Sequence, residues 1–116
     1  MYDSNNIFAK ILRKEIPCEV VHEDEYSLFF NDINPQAKIH VLGIPKVQCI
    51  DLADFTNRSD DKTFLLFFKN VIKVIESLGV RQSGYRIISN SGDNGGQEVP
   101  HFHIHILAGE KIGRIS

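Results

Sequence analysis

Short segments in which hydrophobic and polar residues alternate flank one long segment with helical periodicity. Turn-forming residues separate the alternating segments, which is typical of strands joined by short connections. The pattern predicts five strands, at residues 19–23, 27–31, 39–44, 85–90 and 100–107. It also predicts a short helix at residues 7–14, capped by Asn5 or Asn6 and stopped by Pro17, and one helical turn within residues 47–55.

The longest predicted element is a helix over residues 62–78, which Gly79 ends. Six apolar residues lie on one of its faces, namely Phe64, Phe67, Phe68, Val71, Ile75 and Leu78. Four more lie outside that stripe, namely Leu65, Leu66, Ile72 and Val74. A helix that is apolar around much of its circumference is buried on more than one side, so we expect a partner subunit and a homodimer.

The order of the elements predicts the fold class. Strands, then one long helix, then further strands favour an α+β fold, in which one long and one short helix pack on a five-stranded antiparallel sheet. A chain of 116 residues is expected to form a single domain, here residues 1–116.

Composition and charge exclude several classes of protein. Hydrophobic residues make up 42% and charged residues 24% of the chain, which is typical of globular proteins and not of disordered ones. The formal net charge of −2 provides no basic excess, so we expect no nucleic-acid partner. The sequence predicts no signal peptide and no membrane span, and its two cysteines, Cys18 and Cys49, do not form a disulfide pattern. We therefore expect a reduced, cytoplasmic protein.

The most informative segment is HFHIHIL at residues 101–107, which holds three of the five histidines. Side chains alternate between the two faces of a strand, so His101, His103 and His105 are predicted to share one face and the apolar residues between them the other. One histidine on a strand is usually structural. Three on the same face indicate a functional site.

Two chemistries suit these histidines. In zinc binding, the outer pair would lie about 13 Å apart at Cβ, so one ion with bonds of about 2 Å reaches only two of the three, and another ligand would have to come from His40 or His22. The other chemistry is attack on phosphorus by the central His103, while its neighbours orient it and transfer protons. The glycine-rich loop at residues 91–98 would then bring N–H groups to the phosphate oxygens, although a hairpin turn explains the same glycines.

Beyond the histidines, the sequence resembles the histidine triad (HIT) superfamily. The segment GGQEVPHFHIHIL is similar to the family signature, His-φ-His-φ-His-φφ with φ hydrophobic, preceded by Gly-Gly-Gln. The segments NIFAKILRKEIP, FFNDINPQAKIHVLGIPK and IISNSGDNGGQ extend the resemblance from about Asn6 to Gly109. It is closest to the Hint branch, the nucleoside phosphoramidate hydrolases. The resemblance implies the HIT fold, with the sheet extended across a homodimer.

The resemblance also implies an activity. The expected reaction is hydrolysis of purine nucleoside phosphoramidates or related nucleotide conjugates (AMP-X to AMP + X) through a nucleotidyl-histidine intermediate, with no cofactor and no metal. His103 would be the nucleophile, supported by His101 and His105 through hydrogen bonds and proton transfer, and His40 would lie beside them. Two alternatives stay open: a dinucleoside polyphosphate hydrolase, and a nucleotide-binding regulatory protein with little turnover.

The same resemblance implies a nucleotide pocket. Asp32 would hold the ribose hydroxyls, and Asn90 would lie near the phosphate and sugar. The phosphate loop would contain Gly96, Gln97 and Glu98. The slot for the purine would be lined by five apolar residues, Ile7, Phe8, Ile11, Phe30 and Ile33. Without the resemblance, these five are more simply explained as ordinary core, and Asp32 as the first residue of a turn.

The chain departs from the family pattern at positions that affect specificity and metal binding. Glu98 stands where eukaryotic Hint proteins have Ser, Pro100 replaces an aromatic residue, and the tail AGEKIGRIS is short. Some relatives bind zinc through Cys-x-x-Cys where this chain has Asn6 and Ala9, so we expect no structural zinc of that kind. The third histidine, His105, stands where nucleotidyl transferases have Gln, which favours hydrolysis.

Overall fold

Five antiparallel strands and three helices make up the structure, a computed structural model that describes residues 1–114. The elements are α1 (Ile7–Leu12), β1 (Val20–Glu23), β2 (Ser27–Asn31), β3 (Ile39–Pro45), α2 (Leu52–Arg58), α3 (Asp61–Ser77), β4 (Tyr85–Ile88) and β5 (Ile104–Ala108). The strands form one sheet in the order β1-β2-β3-β5-β4, which confirms the predicted α+β fold. Strand β5 lies between β3 and β4, so the histidine segment is near the middle of the sheet. None of the helices within residues 1–114 has the length and apolar character needed to cross a membrane.

The sheet separates two hydrophobic clusters. On one face, α2 and α3 cover a cluster that includes Phe29, Val41, Phe55, Phe67, Val71, Phe102, Ile104 and Ile106. On the other face, α1 covers a smaller cluster of Phe8, Ile11, Leu28, Phe30, Leu42 and Ile44. The alternating apolar residues of the histidine segment, Phe102, Ile104 and Ile106, all belong to the first cluster, as their alternation predicts. The second face is therefore the one that carries the histidines.

The helices begin at capping side chains. Asn6, Asp51 and Asp60 each accept a hydrogen bond from the backbone N–H three residues further along, at the starts of α1, α2 and α3. Helix α1 ends earlier than predicted because Lys14 adopts a left-handed conformation with φ of 65°. Helix α2 is longer than the single turn expected from the sequence, because its cap and the buried Phe55 stabilise seven helical residues.

The strand predicted at residues 100–107 begins only at Ile104. In the ladder between β3 and β5, Ile104 pairs with Gly43, and the same register would place Phe102 opposite Pro45. Proline has no N–H to donate, so the ladder cannot continue past this point. The N–H of Phe102 instead donates to a carbonyl in the connection after β3, over 2.9 Å.

As a result, the three histidines do not lie on one regular strand. Only His105 is part of β5, while His101 and His103 precede its first residue. The prediction of a single histidine strand is therefore wrong in its boundaries. The alternation of the side chains survives, because the apolar residues between the histidines stay in the helix-side cluster.

The apolar surface of α3 differs from the prediction at one residue. Val74 is 1% exposed and belongs to the helix-side cluster, so its assignment outside the buried stripe is wrong. Leu65 and Ile72 are 53% and 42% exposed. Because they are seven residues apart, they lie on the same side of the helix and form a small apolar surface there.

Candidate active site

A cavity of about 570 Å³ opens on the face of the sheet that α1 covers. The predicted site residues that line it are Ile7, Phe8, Ile11, Phe30, Asp32, Ile33, His40, Asn90, Gly96, Glu98, His103 and His105. The structure therefore brings together residues from α1, from β2 and β3, and from both sides of the glycine-rich loop. Two predicted residues, His101 and Gln97, lie outside its lining.

Other lining residues were not found by sequence reasoning. They are Ile16, Pro17, Cys18, Asn31, Asn34, Gln36, Leu42 and Val99. Most are apolar, so nothing in the sequence distinguishes them from core. Gln36 contributes through its backbone N–H, which any residue except proline would provide.

The proton position on His103 follows from one hydrogen bond. Its Nδ1 lies 2.7 Å from the carbonyl oxygen of His101, and a carbonyl oxygen can only accept. Nδ1 therefore carries the proton, and Nε2 carries the free lone pair. The ring of Phe8 meets the ring of His103 edge to face, with centroids 4.9 Å apart, which holds the imidazole in place. His103 thus presents an unprotonated nitrogen, suited to act as a nucleophile or a base.

A second series of hydrogen bonds fixes the protons of His40 and His105. The backbone N–H of Gln36 donates to Nδ1 of His40 over 3.0 Å, so the proton of that ring is on Nε2. This Nε2 donates to Nδ1 of His105 over 2.9 Å, which leaves the proton of His105 on its own Nε2. Asp32 Oδ2 lies 3.4 Å from Nε2 of His40 as a second, weaker acceptor. In the cavity, Nε2 of His105 is therefore a hydrogen-bond donor, whereas Nε2 of His103 is an acceptor.

Burial lowers the pKa of all four histidines. It lowers the pKa of His101 to about 4, although a bond to a backbone carbonyl opposes the shift. The pKa of His105 is also lowered to about 4, by burial and then by His103 and His40, against the opposing charge of Asp32. Burial lowers the pKa of His103 and of His40 too. All four rings are neutral at pH 7, which agrees with the proton positions derived from the hydrogen bonds.

His101 is placed differently from the other histidines. It is fully buried, and its Nε2 donates to the carbonyl of Pro45 over 2.9 Å. Its Nδ1 lies 2.6 Å from the hydroxyl of Tyr2. Both ring nitrogens are thus occupied away from the cavity, and the backbone carbonyl of His101 is what reaches His103. Direct proton transfer to a bound ligand, which the sequence suggested for His101, does not fit this geometry.

The glycine-rich loop also differs from the expectation. Gly92 and Gly96 have φ of 66° and 74°, which favours glycine at both positions. The N–H of Gly96 donates to a loop carbonyl over 3.0 Å, and the N–H of Gly92 donates to Oε1 of Gln97 over 3.1 Å. The amide of Gln97 also donates to the carbonyl of Ile50 over 2.7 Å. These N–H groups therefore close the loop on itself, and Gln97 braces it from outside the cavity.

Three residues of the cavity could be considered as metal ligands. The ligand atoms of Asp32, His40 and His105 all lie within 4.8 Å of one another. A metal on Nε2 of His40 would move the ring proton to Nδ1, where it would face the N–H of Gln36. Metal binding would thus break a hydrogen bond and place two donors together. At the positions of the family's Cys-x-x-Cys this chain has Asn6 and Ala9, which offer no sulfur ligand. The side chain of Asn6 instead caps α1 by accepting a hydrogen bond from the N–H of Ala9.

Comparison with known proteins shows the family of the chain. The family model for the HIT domain matches residues 13–112. An uncharacterised 13.2 kDa HIT-like protein of Azospirillum brasilense is 49% identical over 112 residues, which cover 97% of this chain and 92% of that protein. The purine nucleoside phosphoramidase of Escherichia coli K12 is 37% identical over 107 residues, covering 92% and 89% of the two chains.

A solved structure is similar as well. The HIT family hydrolase from Clostridium thermocellum matches this fold with a TM-score of 0.84 at 35% sequence identity, and the match covers 97% of each chain. The sequence signature, the sheet with its histidine segment and these similarities all lead to one assignment. The chain belongs to the HIT domain family.

Proposed function

We propose that this protein is a hydrolase of purine nucleoside phosphoramidates or related nucleoside monophosphate conjugates, in which His103 attacks the phosphorus. The observation that carries the proposal is the proton held on Nδ1 of His103 by the carbonyl of His101, because it leaves a lone pair on Nε2 in a residue that lines the cavity. The similar Escherichia coli protein named purine nucleoside phosphoramidase supports the substrate class.

The proposed reaction has two steps. In the first, a bond forms between Nε2 of His103 and the phosphorus, and the bond from phosphorus to the group X breaks with its electron pair leaving on X. The N–H at Nε2 of neutral His105 can donate a hydrogen bond to X as it leaves, and X takes up a proton from solvent water. In the second step water attacks the phosphorus of the nucleotidyl-histidine and loses a proton to solvent. The bond from phosphorus to Nε2 breaks with its electron pair returning to His103, and the nucleotide is released.

The lining of the cavity suits a nucleoside monophosphate. Its apolar wall, which includes Phe8, Phe30 and Ile11, provides surface on which a purine can pack. Asp32 adds a carboxylate to the lining, and it can accept hydrogen bonds from the two ribose hydroxyls. The same residues support the nucleotide-binding roles expected from the sequence.

Charge distinguishes this substrate class from dinucleoside polyphosphates. Among residues 1–114, those that line the cavity include neither lysine nor arginine, while Asp32 and Glu98 bring two carboxylates. A polyphosphate chain carries several negative charges and is usually bound by cations. A phosphoramidate monoester carries a single negative charge at phosphorus, which neutral imidazoles can accommodate. The cavity therefore favours the phosphoramidate.

We therefore expect kcat/KM for an adenosine phosphoramidate of a simple amine to exceed that for diadenosine tetraphosphate by about tenfold or more, a difference that the loss of one charge-assisted hydrogen bond would produce. Both substrates are assayed at the same ionic strength, with release of AMP as the readout. Equal or inverted values would favour the dinucleoside polyphosphate hydrolase. Nucleotide binding without turnover of either substrate would favour the regulatory protein.

We further propose that the protein is a homodimer formed along β4 and α3. In the described part of the chain, β4 is an edge strand that pairs only with β5. Its exposed residues Tyr85 and Ile87 pair with residues whose side chains face the helix-side cluster, so they lie on the same side of the sheet as α3. Helix α3 packs over β2, and Tyr85 and Ile87 remain 38% and 42% exposed. A second copy would cover the strand edge and the apolar residues together.

Replacement of Ile72 by glutamate is expected to shift the protein from dimer to monomer at micromolar concentration, because it places a charge in the apolar contact. Sedimentation equilibrium measures the mass, and Asn57→Glu, an exposed change on α2, is the matched control. A wild-type protein that sediments as a 13.2 kDa monomer at this concentration would refute the dimer.

A further inference from the structure

Tyr2 contacts the histidine segment outside the lining of the cavity. Its hydroxyl oxygen lies 2.6 Å from Nδ1 of His101, although 99 positions separate the two residues. The two rings meet edge to face, with centroids 5.6 Å apart and an interplanar angle of 72°. Tyr2 is half-buried, does not line the active-site cavity, and is not part of the HIT signature described above.

The direction of this hydrogen bond can be derived. Nε2 of His101 lies 2.9 Å from the carbonyl oxygen of Pro45, so the ring proton must be on Nε2. Nδ1 then has a lone pair and can only accept. The hydroxyl of Tyr2 is therefore the donor, and burial raises the pKa of that phenol, which keeps its proton in place at neutral pH. Both nitrogens of a fully buried imidazole are satisfied in this way.

This arrangement connects Tyr2 to His103 through the backbone. The side chain of His101 is held at one end by Tyr2 and at the other by Pro45. Holding the ring restricts the backbone of His101, whose carbonyl oxygen accepts the proton of His103 Nδ1 over 2.7 Å. That bond determines which nitrogen of His103 is free and where it points. A displaced carbonyl would allow His103 to adopt the other tautomer, with its proton on Nε2.

We propose that Tyr2 is a positioning residue for the reaction: by donating to Nδ1 of His101, it fixes the carbonyl that keeps the lone pair of His103 on Nε2. The proposal rests on the proposed role of His103 as nucleophile. Tyr2 acts through His101 and touches neither the substrate nor the reacting atoms.

The test compares Tyr2→Phe with the wild-type protein. This change keeps the aromatic ring and removes only the hydroxyl, so Nδ1 of His101 loses its donor while it remains buried. We expect kcat for an adenosine phosphoramidate to fall about three- to tenfold, as loss of one hydrogen bond allows, with KM within about twofold of wild type. Tyr26→Phe, at a half-buried tyrosine outside the cavity lining, is the matched control and should leave both constants unchanged.

A second measurement does not depend on activity. Nitrogen-15 NMR of the histidine rings reports which nitrogen carries the proton. In the wild type, His101 should be protonated on Nε2 and His103 on Nδ1, and in Tyr2→Phe the His103 signals should shift toward a mixture of tautomers. A change that only loosened the fold would lower the melting temperature without changing the tautomer of His103.

The outcomes separate this proposal from the proposed function. If the wild type hydrolyses the phosphoramidate and Tyr2→Phe matches it in kcat and in the His103 tautomer, the role of Tyr2 is refuted and the function stands. If the wild type shows no turnover, the proposed function fails, while the NMR experiment still tests the link from Tyr2 to His103. A wild-type His101 with its proton on Nδ1 would refute the donation from Tyr2 and with it the proposal.

Discussion

Replacement of His103 by alanine should lower the turnover of an adenosine phosphoramidate on the order of a thousandfold or more, because removal of a covalent nucleophile leaves only the binding groups of the site. Binding of AMP should stay within about threefold of wild type. The purine wall and Asp32 remain in place, and His103 contributes mainly its edge-to-face contact with Phe8 to the pocket. Steady-state kinetics and calorimetry with AMP measure the two quantities separately.

The covalent step has its own measurement. A wild-type reaction with nucleotide-labelled substrate, stopped in alkaline denaturant, should trap the label on the protein, and peptide mapping should place it on His103. His22→Ala is the matched control, since His22 lies on β1 outside the cavity lining and its loss should leave turnover unchanged. Near-normal turnover in His103→Ala, or a label on another residue, would show that the proposed mechanism is wrong.

Residue patterns predict those parts of the fold that depend on local sequence. Strand β2 has the predicted bounds, and α3 differs from its prediction by one residue at each end, because alternation and helical periodicity directly determine which side chains become buried. For the same reason, the sequence predicts that the histidines and the apolar residues between them lie on opposite faces of the sheet. The three capping residues at the helix starts are polar side chains of the usual kind; the sequence predicts Asn5 or Asn6 for the first of them, and the structure has Asn6.

Other features depend on contacts between distant parts of the chain. The start of β5 depends on Pro45 in the neighbouring strand, and the burial of Val74 depends on how α3 lies on the sheet. The tautomers of His40 and His103 depend on a backbone N–H and a backbone carbonyl, which have no sequence signal. Tyr2 likewise becomes relevant only once the fold brings it to His101.

Two of the predicted site residues therefore lie next to the site as expected but have different roles there. The sequence suggested that His101 takes part in proton transfer and that Gln97 belongs to the phosphate loop. In the structure His101 acts on its neighbour through a backbone carbonyl, and Gln97 ties the loop to the carbonyl of Ile50. Both remain next to the cavity, but each supports another group that lines it.

Asp32→Asn is expected to weaken binding of AMP by about ten- to a hundredfold. A carboxylate that accepts hydrogen bonds from both ribose hydroxyls contributes roughly 1.5–3 kcal/mol for a charge-assisted bond, which corresponds to that loss in affinity. Asparagine has nearly the same shape and keeps an oxygen to accept the N–H of Asn34, which Asp32 Oδ1 binds over 2.8 Å. Asp51→Asn is the matched control, because it removes the same charge outside the cavity and asparagine caps a helix as well as aspartate.

The structure also offers Asp32 a different role, since its Oδ2 lies 3.4 Å from Nε2 of His40 and both residues belong to the hydrogen-bonded group that ends at His105. The two roles can be separated with 2′,3′-dideoxyadenosine monophosphate, which lacks both hydroxyls. If Asp32 binds the ribose, the higher affinity of the wild type over Asp32→Asn should largely disappear with this ligand, so that the two proteins bind it about equally well. If Asp32 instead acts through His40, the substitution should lower kcat and leave the affinity for AMP unchanged. Equal affinity of the two proteins for AMP, measured by calorimetry, would refute the ribose-binding role and return Asp32 to the turn that it forms with Asn34.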